Sequence, residues 1–256
     1  MHFHEVHVEA EDVDVVDEKM IDPGVHLRSA GFQALVQRGQ FDEALQIRRE
    51  EELPTFERLG NVRERAVTLG KIADILEIRG NVDEALRIRQ EEQLPVYERI
   101  GDVRSQAITL SKIAYTMFMR GDLDEALKIH QDQQLPIFER LGSVRDRALT
   151  LGQIADVLQA QGQIEESLRI RREEELPIYE KLGDIRSVAV THGQIADILE
   201  AQGLLDEALE IRKTRELPVY EQLGDIRSTA IATGKIATIL QAQGELDEAL
   251  RLYRVV

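Results

Sequence analysis

Leu53-Pro54-Thr55-Phe56-Glu57-Arg58-Leu59-Gly60 is the phrase on which the reading of this chain turns. It returns with little change at Leu94, Leu135, Leu176 and Leu217, each time 41 residues further on. A second phrase, G-x-Φ-[DE]-E-[AS]-L, keeps the same step and opens at Gly39, Gly80, Gly121, Gly162, Gly203 and Gly244. Six copies without an insertion define a linear array, because each unit can then stack on its neighbour in the same way.

Working outward from the phrase, each unit yields two helices. In the second unit Asn61 is placed to cap a helix running to about Arg79, with Ala66, Leu69, Ile72, Ala73 and Leu76 on one face at three- and four-residue spacing. Gly80 ends it, and Asp83 begins a second helix with Ala85, Leu86 and Ile88 inward, continuing towards Gly101-Asp102. Asp102, Ser143, Asp184 and Asp225 repeat the capping choice, and no strand pattern follows residue 24. The expectation is an all-α solenoid of six helix-turn-helix units over 25–256, the last one truncated. Its twelve helices, in antiparallel pairs, form a right-handed superhelix.

Composition agrees with thin amphipathic faces rather than one large core: charged residues make up 31% and aromatics 4%. Forty-eight acidic against 32 basic residues give a net charge of −16, which disfavours nucleic acid and anionic membrane surfaces and favours a basic protein region or peptide. There is no cysteine, hence no disulfide framework, thiolate nucleophile or sulfur metal site. With no apolar run near ~18 residues and no signal-peptide pattern, a cytoplasmic location is expected.

Residues 1–24 stand apart as an acidic arm. Val6, Val8, Ala10, Val13 and Val15 alternate with His and acidic residues, a strand-like period that leaves two readings open. One is a disordered or loosely docked arm; the other is a strand pairing with another chain or with a further domain. His2, His4 and His7 are read as part of a polar terminus rather than as metal ligands, because no carboxylate or Cys constellation fixes their geometry.

The units resemble the tetratricopeptide repeat family: in the second, Ile72-Ala73, Leu76, Gly80 and Ala85 fall where that family places its signature Leu-Gly, Tyr, Gly and Ala. Ala73 and Leu76 depart from the Gly and the aromatic of that signature, and Arg89 lies near where the second helix would carry another aromatic. The step also exceeds the ~34 residues typical of the family. In this the chain is similar to the long-helix arrays of kinesin light chains and MalT-type signalling ATPases. The resemblance covers 25–256 and implies a protein-binding scaffold whose first helices line a concave groove.

Each second helix carries a proline, Pro54, Pro95, Pro136, Pro177 or Pro218, about twelve residues in. Such a residue removes one rung of the helix, so either a bent continuous helix or two shorter ones is expected. The aromatic two residues on, Phe56, Tyr97, Phe138, Tyr179 or Tyr220, is expected to fold back into the stack. Arg63, Arg104, Arg145, Arg186 and Arg227 are read as ion-pair partners of Glu57, Glu98, Glu139, Glu180 and Glu221 rather than as an anion-binding ladder.

No catalytic constellation stands out. His130 and His192 are isolated, and neither a phosphate-binding loop nor an H-E-x-x-H helix occurs. No enzyme activity, cofactor or metal is expected. The informative signal is a break in the repeat. On the first helices the stripe offset from the core reads Asp74 and Glu77 in the second unit, Asp156 and Gln159 in the fourth, and Asp197 and Glu200 in the fifth. The third unit offers Tyr115, Phe118 and Met119. These residues are the candidate partner-binding site, fitting a protein segment with an apolar anchor and basic flanks. The candidate function is a protein-interaction scaffold, such as the sensor arm of a signalling protein. The alternative is a structural protein that self-assembles into homo-oligomers through its array ends or its N-terminal arm.

Overall fold

The structure is a computed structural model that describes residues 38–254. The arm over 1–24, the first helix expected from residue 25 and the arm's two readings therefore lie outside the described residues. Eleven helices and no strand are found among the described residues. The helices are α1 (41–58), α2 (Val62–Ile78), α3 (82–100), α4 (Val103–Arg120), α5 (123–140), α6 (Val144–Ala160), α7 (164–182), α8 (Ile185–Ala201), α9 (205–223), α10 (Ile226–Ala242) and α11 (Leu246–Tyr253). Successive helices pack against each other along the chain, and each second helix also meets the first helix of the following unit. The fold is the expected all-α solenoid.

Local chemistry explains the punctuation. Asn61 accepts a hydrogen bond from the Glu64 N–H at 3.1 Å, and Asp102, Asp184 and Asp225 cap the equivalent helices through the N–H of Ser105, Ser187 and Ser228. Ser143 is the exception: its hydroxyl donates to Asp146 at 2.6 Å and makes no cap bond. Gly101 closes α3 at φ 72°, a left-handed conformation that Gly adopts without steric penalty. The apolar stripe of α2, with Leu69, Ile72, Ala73, Ile75 and Leu76 buried, packs on Ala85 and Ile88 of α3, and the same core recurs unit by unit.

The prolines sit in continuous helices, and each is preceded by a π-helical stretch: Arg48–Glu52, Ile88–Gln93, Ile129–Gln134, Ile170–Glu175 and Arg212–Glu216. In α3 the N–H of Leu94 reaches five residues back to the carbonyl of Arg89, and Pro95, with no N–H, cannot make the next rung. The buried residues show what the wide turn achieves. Ala85, Arg89, Gln93 and Tyr97 are all buried, four residues apart. A regular α-helix would rotate each of these steps by about 40° out of line, roughly 120° over three steps. The wider π turn takes up that drift, so one face stays aimed at the stack over the whole helix. The aromatics accordingly fold in: Phe56, Tyr97, Phe138, Tyr179 and Tyr220 are buried.

Candidate partner-binding face

The π turns place one unforeseen row of side chains in the stack. Arg48, Arg89, His130, Arg171 and Arg212 are spaced by 41 residues and buried, Arg89, Arg171 and Arg212 at 1% exposure. A buried guanidinium needs compensating charge and hydrogen bonds. In the second unit Asp74 and Glu77 supply them, each at 2.7 Å from Arg89. Asp74 also holds Lys112 of the next unit at 2.8 Å, and the Thr116 hydroxyl donates to Glu77. In the fourth unit Arg171 is held by Asp156, by Glu175 at 3.1 Å and by the Gln194 side-chain carbonyl at 2.8 Å. In the fifth, Arg212 is held by Asp197, by Glu216 at 2.8 Å and by Glu200 at 3.7 Å.

The stripe Asp74, Glu77, Asp156, Asp197 and Glu200 is thus half-buried and already engaged by cations from within the array, and Gln159 stands half-buried beside it. Burial alone would raise the Asp74 carboxyl, but Lys112 and Arg89 prevail and hold it below its ordinary value. Burial prevails at Glu175 and Glu216, raising both despite their arginines. Gly152 and Gly193 belong to the same arrangement. A Cβ at either would lie 2.7 Å or 2.6 Å from the carboxylate of Glu175 or Glu216, so the acid needs a residue without a side chain beneath it.

The third unit changes at all of these positions together. His130 replaces the arginine, Tyr115 and Phe118 replace its two acids, and Ser111 replaces the glycine. His130 is buried with its Nδ1 2.5 Å from Gln134 Oε1, and burial pushes its pKa down despite that bond. The sixth unit changes together as well: Tyr253 takes the arginine position, and its hydroxyl lies 3.1 Å from Thr238 and 3.3 Å from Gln241, which take the acid positions. Without the guanidinium there is nothing to hold Asp and Glu at 115 and 118. In their place Tyr115 is 46% and Met119 51% exposed, Phe118 is half-buried, and Leu110, Ile113 and Ala114 serve the core.

The same face carries two more rows, which sequence reasoning did not connect. Arg104, Ile108, Lys112, Tyr115 and Met119 share one side of α4, one or two turns apart. Along the array this gives an arginine row of Arg63, Arg104, Arg145, Arg186 and Arg227. Beside it runs an apolar row in which Ile108, Leu149, Val190 and Ile231 are between 40% and 48% exposed. The arginine row does form ion pairs, but with different partners from those expected. Arg63, Arg145 and Arg186 reach the capping Asp102, Asp184 and Asp225 of the next unit, at 3.0 Å, 2.9 Å and 2.6 Å. Glu57 and Glu139 pair with Arg65 and Arg147 instead.

Among the described residues no group of three or more His, Asp or Glu side chains has the arrangement to hold a metal ion, and no helix is long and apolar enough to cross a membrane.

A tetratricopeptide repeat model matches residues 229–256, the last unit, of which the preceding units are copies in register. Among curated proteins compared by sequence, none matches. The fold is similar to that of several solved structures. One is a putative kinesin light chain of Podosopora anserina with nearly identical TPR-like repeats. It is 20% identical, with a TM-score of 0.60 over 74% of this chain and 92% of that one. Another is a signal transduction ATPase with a tetratricopeptide repeat sensor from Pyrococcus horikoshii, 18% identical, with a TM-score of 0.72 over 87% of this chain and 33% of that one. A third is a Rap protein complexed with competence and sporulation factor, 17% identical, with a TM-score of 0.59 over 90% of this chain and 74% of that one.

Proposed function

We propose that this array of tetratricopeptide-type repeats is a non-enzymatic, cytoplasmic scaffold. Its first-helix face captures a segment of a protein partner, with Tyr115, Phe118 and Met119 receiving the apolar anchor. One observation carries the reading: where the other internal units fill this face with a buried arginine and its acids, the third unit gives up both and leaves aromatic and thioether surface exposed. Large apolar side chains ringed by polar ones are the composition of an interface centre. The similar Rap fold was solved in complex with a factor, which agrees with ligand capture by an array of this shape.

Basic flanks on the partner act mainly at a distance in this account. Asp74, Asp156 and Asp197 already face cations of the array, so the net charge of −16 speeds encounter more than it makes contacts.

The test is a selection of displayed random peptides on the whole chain, followed by titration of the recovered peptides onto the parent and the Tyr115→Asp/Phe118→Gln variant. The reading expects peptides with an aromatic or aliphatic anchor that lose at least about tenfold in affinity on the variant. Equal affinity for the two proteins would remove these residues from the site.

A further inference from the structure

Three aspartates at one position of the repeat are not held alike. Each is paired with the buried arginine of its own unit: Asp74 with Arg89, Asp156 with Arg171 and Asp197 with Arg212. Asp74 and Asp197 also hold a lysine contributed by the following unit, Lys112 at 2.8 Å and Lys235. The same rule brings residue 194 of the fifth unit towards Asp156, and residue 194 is Gln. Its side-chain carbonyl accepts from Arg171 at 2.8 Å. Among the described residues Asp156 is therefore paired with Arg171 and with no lysine, and that guanidinium is shared with Glu175 at 3.1 Å. Asp156 is also the most exposed of the three, at 47% against 39% and 31%. Their titration follows the same division. At Asp74 burial is outweighed by Lys112 and Arg89, which hold the carboxyl down; at Asp156 partial burial outweighs Arg171 and pushes the carboxyl up.

We propose that Asp156 receives a lysine or arginine of the bound partner, in the place that the array's own lysine takes on Asp74 and Asp197. The inference rests on the reading of Tyr115, Phe118 and Met119 as the anchor site, and adds the chemistry of the partner residue beside the anchor. Position supports it. Tyr115 and Asp156 are equivalent residues of neighbouring units, so they stand one helix spacing apart, about 10 Å. An extended segment advances about 3.3 Å per residue, and a basic side chain adds the reach of its own flexible stem. A cation two to four residues from the anchor therefore meets Asp156 while the anchor lies on Tyr115. Arg171 already fixes the carboxylate, so less side-chain order is lost than when two free groups pair, and the contact reaches the upper end of what an exposed pair contributes. At Asp74 and Asp197 an incoming cation would have to displace a lysine that the array holds in place. Asp156 is thus the position where a basic flank makes contact as well as speeding encounter, and it gives the bound segment one register along the units.

The test selects displayed random peptides in parallel on the whole chain, on Gln194→Lys and on Tyr115→Asp/Phe118→Gln. Gln194→Lys writes the lysine of Lys112 and Lys235 beside Asp156 and leaves the anchor residues untouched. Peptides from the parent are expected to carry Lys or Arg two to four residues from an aromatic or aliphatic anchor, and those from Gln194→Lys the anchor without that preference. Replacing the basic residue of a parent-selected peptide by norleucine should weaken binding about fivefold or more on the parent at low salt, and less than about twofold on Gln194→Lys. Anchored peptides with no basic preference on the parent, or a norleucine loss equal on the two proteins, overturn this proposal and leave the anchor reading standing. Peptides that bind Tyr115→Asp/Phe118→Gln as well as the parent, or recovery of no peptide from the parent, overturn the anchor reading and this inference with it. Should Gln194→Lys fail to fold, the norleucine comparison on the parent decides alone, and a loss below about twofold there overturns the proposal.

Discussion

Replacing Arg212 with Met probes the buried ladder where its geometry is most complete. The guanidinium is 1% exposed and faces Asp197, Glu200 and Glu216. Removing one partner of a buried pair costs roughly 3–5 kcal/mol, because the group left behind is buried and uncompensated. The full figure does not apply here. Asp197 and Glu200 are 31% and 29% exposed, and Asp197 keeps Lys235, so water and that ammonium screen them. Glu216, 8% exposed, is the group left uncompensated. The expected loss is therefore about 2–4 kcal/mol, most of it assigned to Glu216. Urea melts at neutral pH measure it, and adding Glu216→Gln to Arg212→Met should return about half or more.

Acid should do the same. Burial raises the Glu216 pKa in the folded state above its unfolded value, so the native state binds the proton first and the penalty fades as pH falls towards about 4.5. With the arginine gone the rise is larger, so the gap between variant and parent narrows on acidification. A loss below about 1 kcal/mol, or no recovery with Glu216→Gln, would refute the reasoning.

Other perturbations separate core, cap and helix register. Leu76→Ala and Leu199→Ala should each cost about 2–5 kcal/mol in melts, since both side chains are buried and leave cavities. Pro95→Ala should keep the helical circular-dichroism signal and stability near the parent's, because the π rung from Leu94 to Arg89 does not use residue 95. Asp225 is held at about 2 by the Ser228 N–H, Arg186 and the Ser228 hydroxyl. Its contribution is present above the unfolded value of 3.8 and is lost as pH falls towards about 2, so acid melts of Asp225→Asn should lose less stability over that window than the parent.

The repeat step, helix count per unit, caps and core faces were legible in the sequence, because six copies in register average out local ambiguity. The buried arginines were not. Arg89 read only as a departure from the aromatic that the family resemblance places near it. Regular rotation turns every fourth residue about 40° off the core line, and the π turn over Ile88–Gln93 takes up that drift. The signal that could have found it was present: from the second unit to the sixth the residues at 74 and 89 and their equivalents change together. Asp and Arg stand at these positions in the second, fourth and fifth units, Tyr and His in the third, and Thr and Tyr in the sixth. The same oversight made the acidic stripe look like open surface, when its charges belong to the array. Ser143 was read as a cap because its type suits one, yet Asp146 offers its hydroxyl a carboxylate instead.

The central claim is that the third unit departs from the others for a partner and not for its own folding. Tyr115→Asp/Phe118→Glu/His130→Arg tests it most directly, because the variant writes the second unit's Asp74, Glu77 and Arg89 into the third, where Gln134 already matches Gln93. Urea melts of this variant, run beside titration with a selected peptide, give both readouts. The account predicts stability within about 1 kcal/mol of the parent, the restored ion pairs offsetting the lost ring burial, together with loss of peptide binding. A variant that unfolds, or one that binds the peptide as well as the parent does, would contradict it.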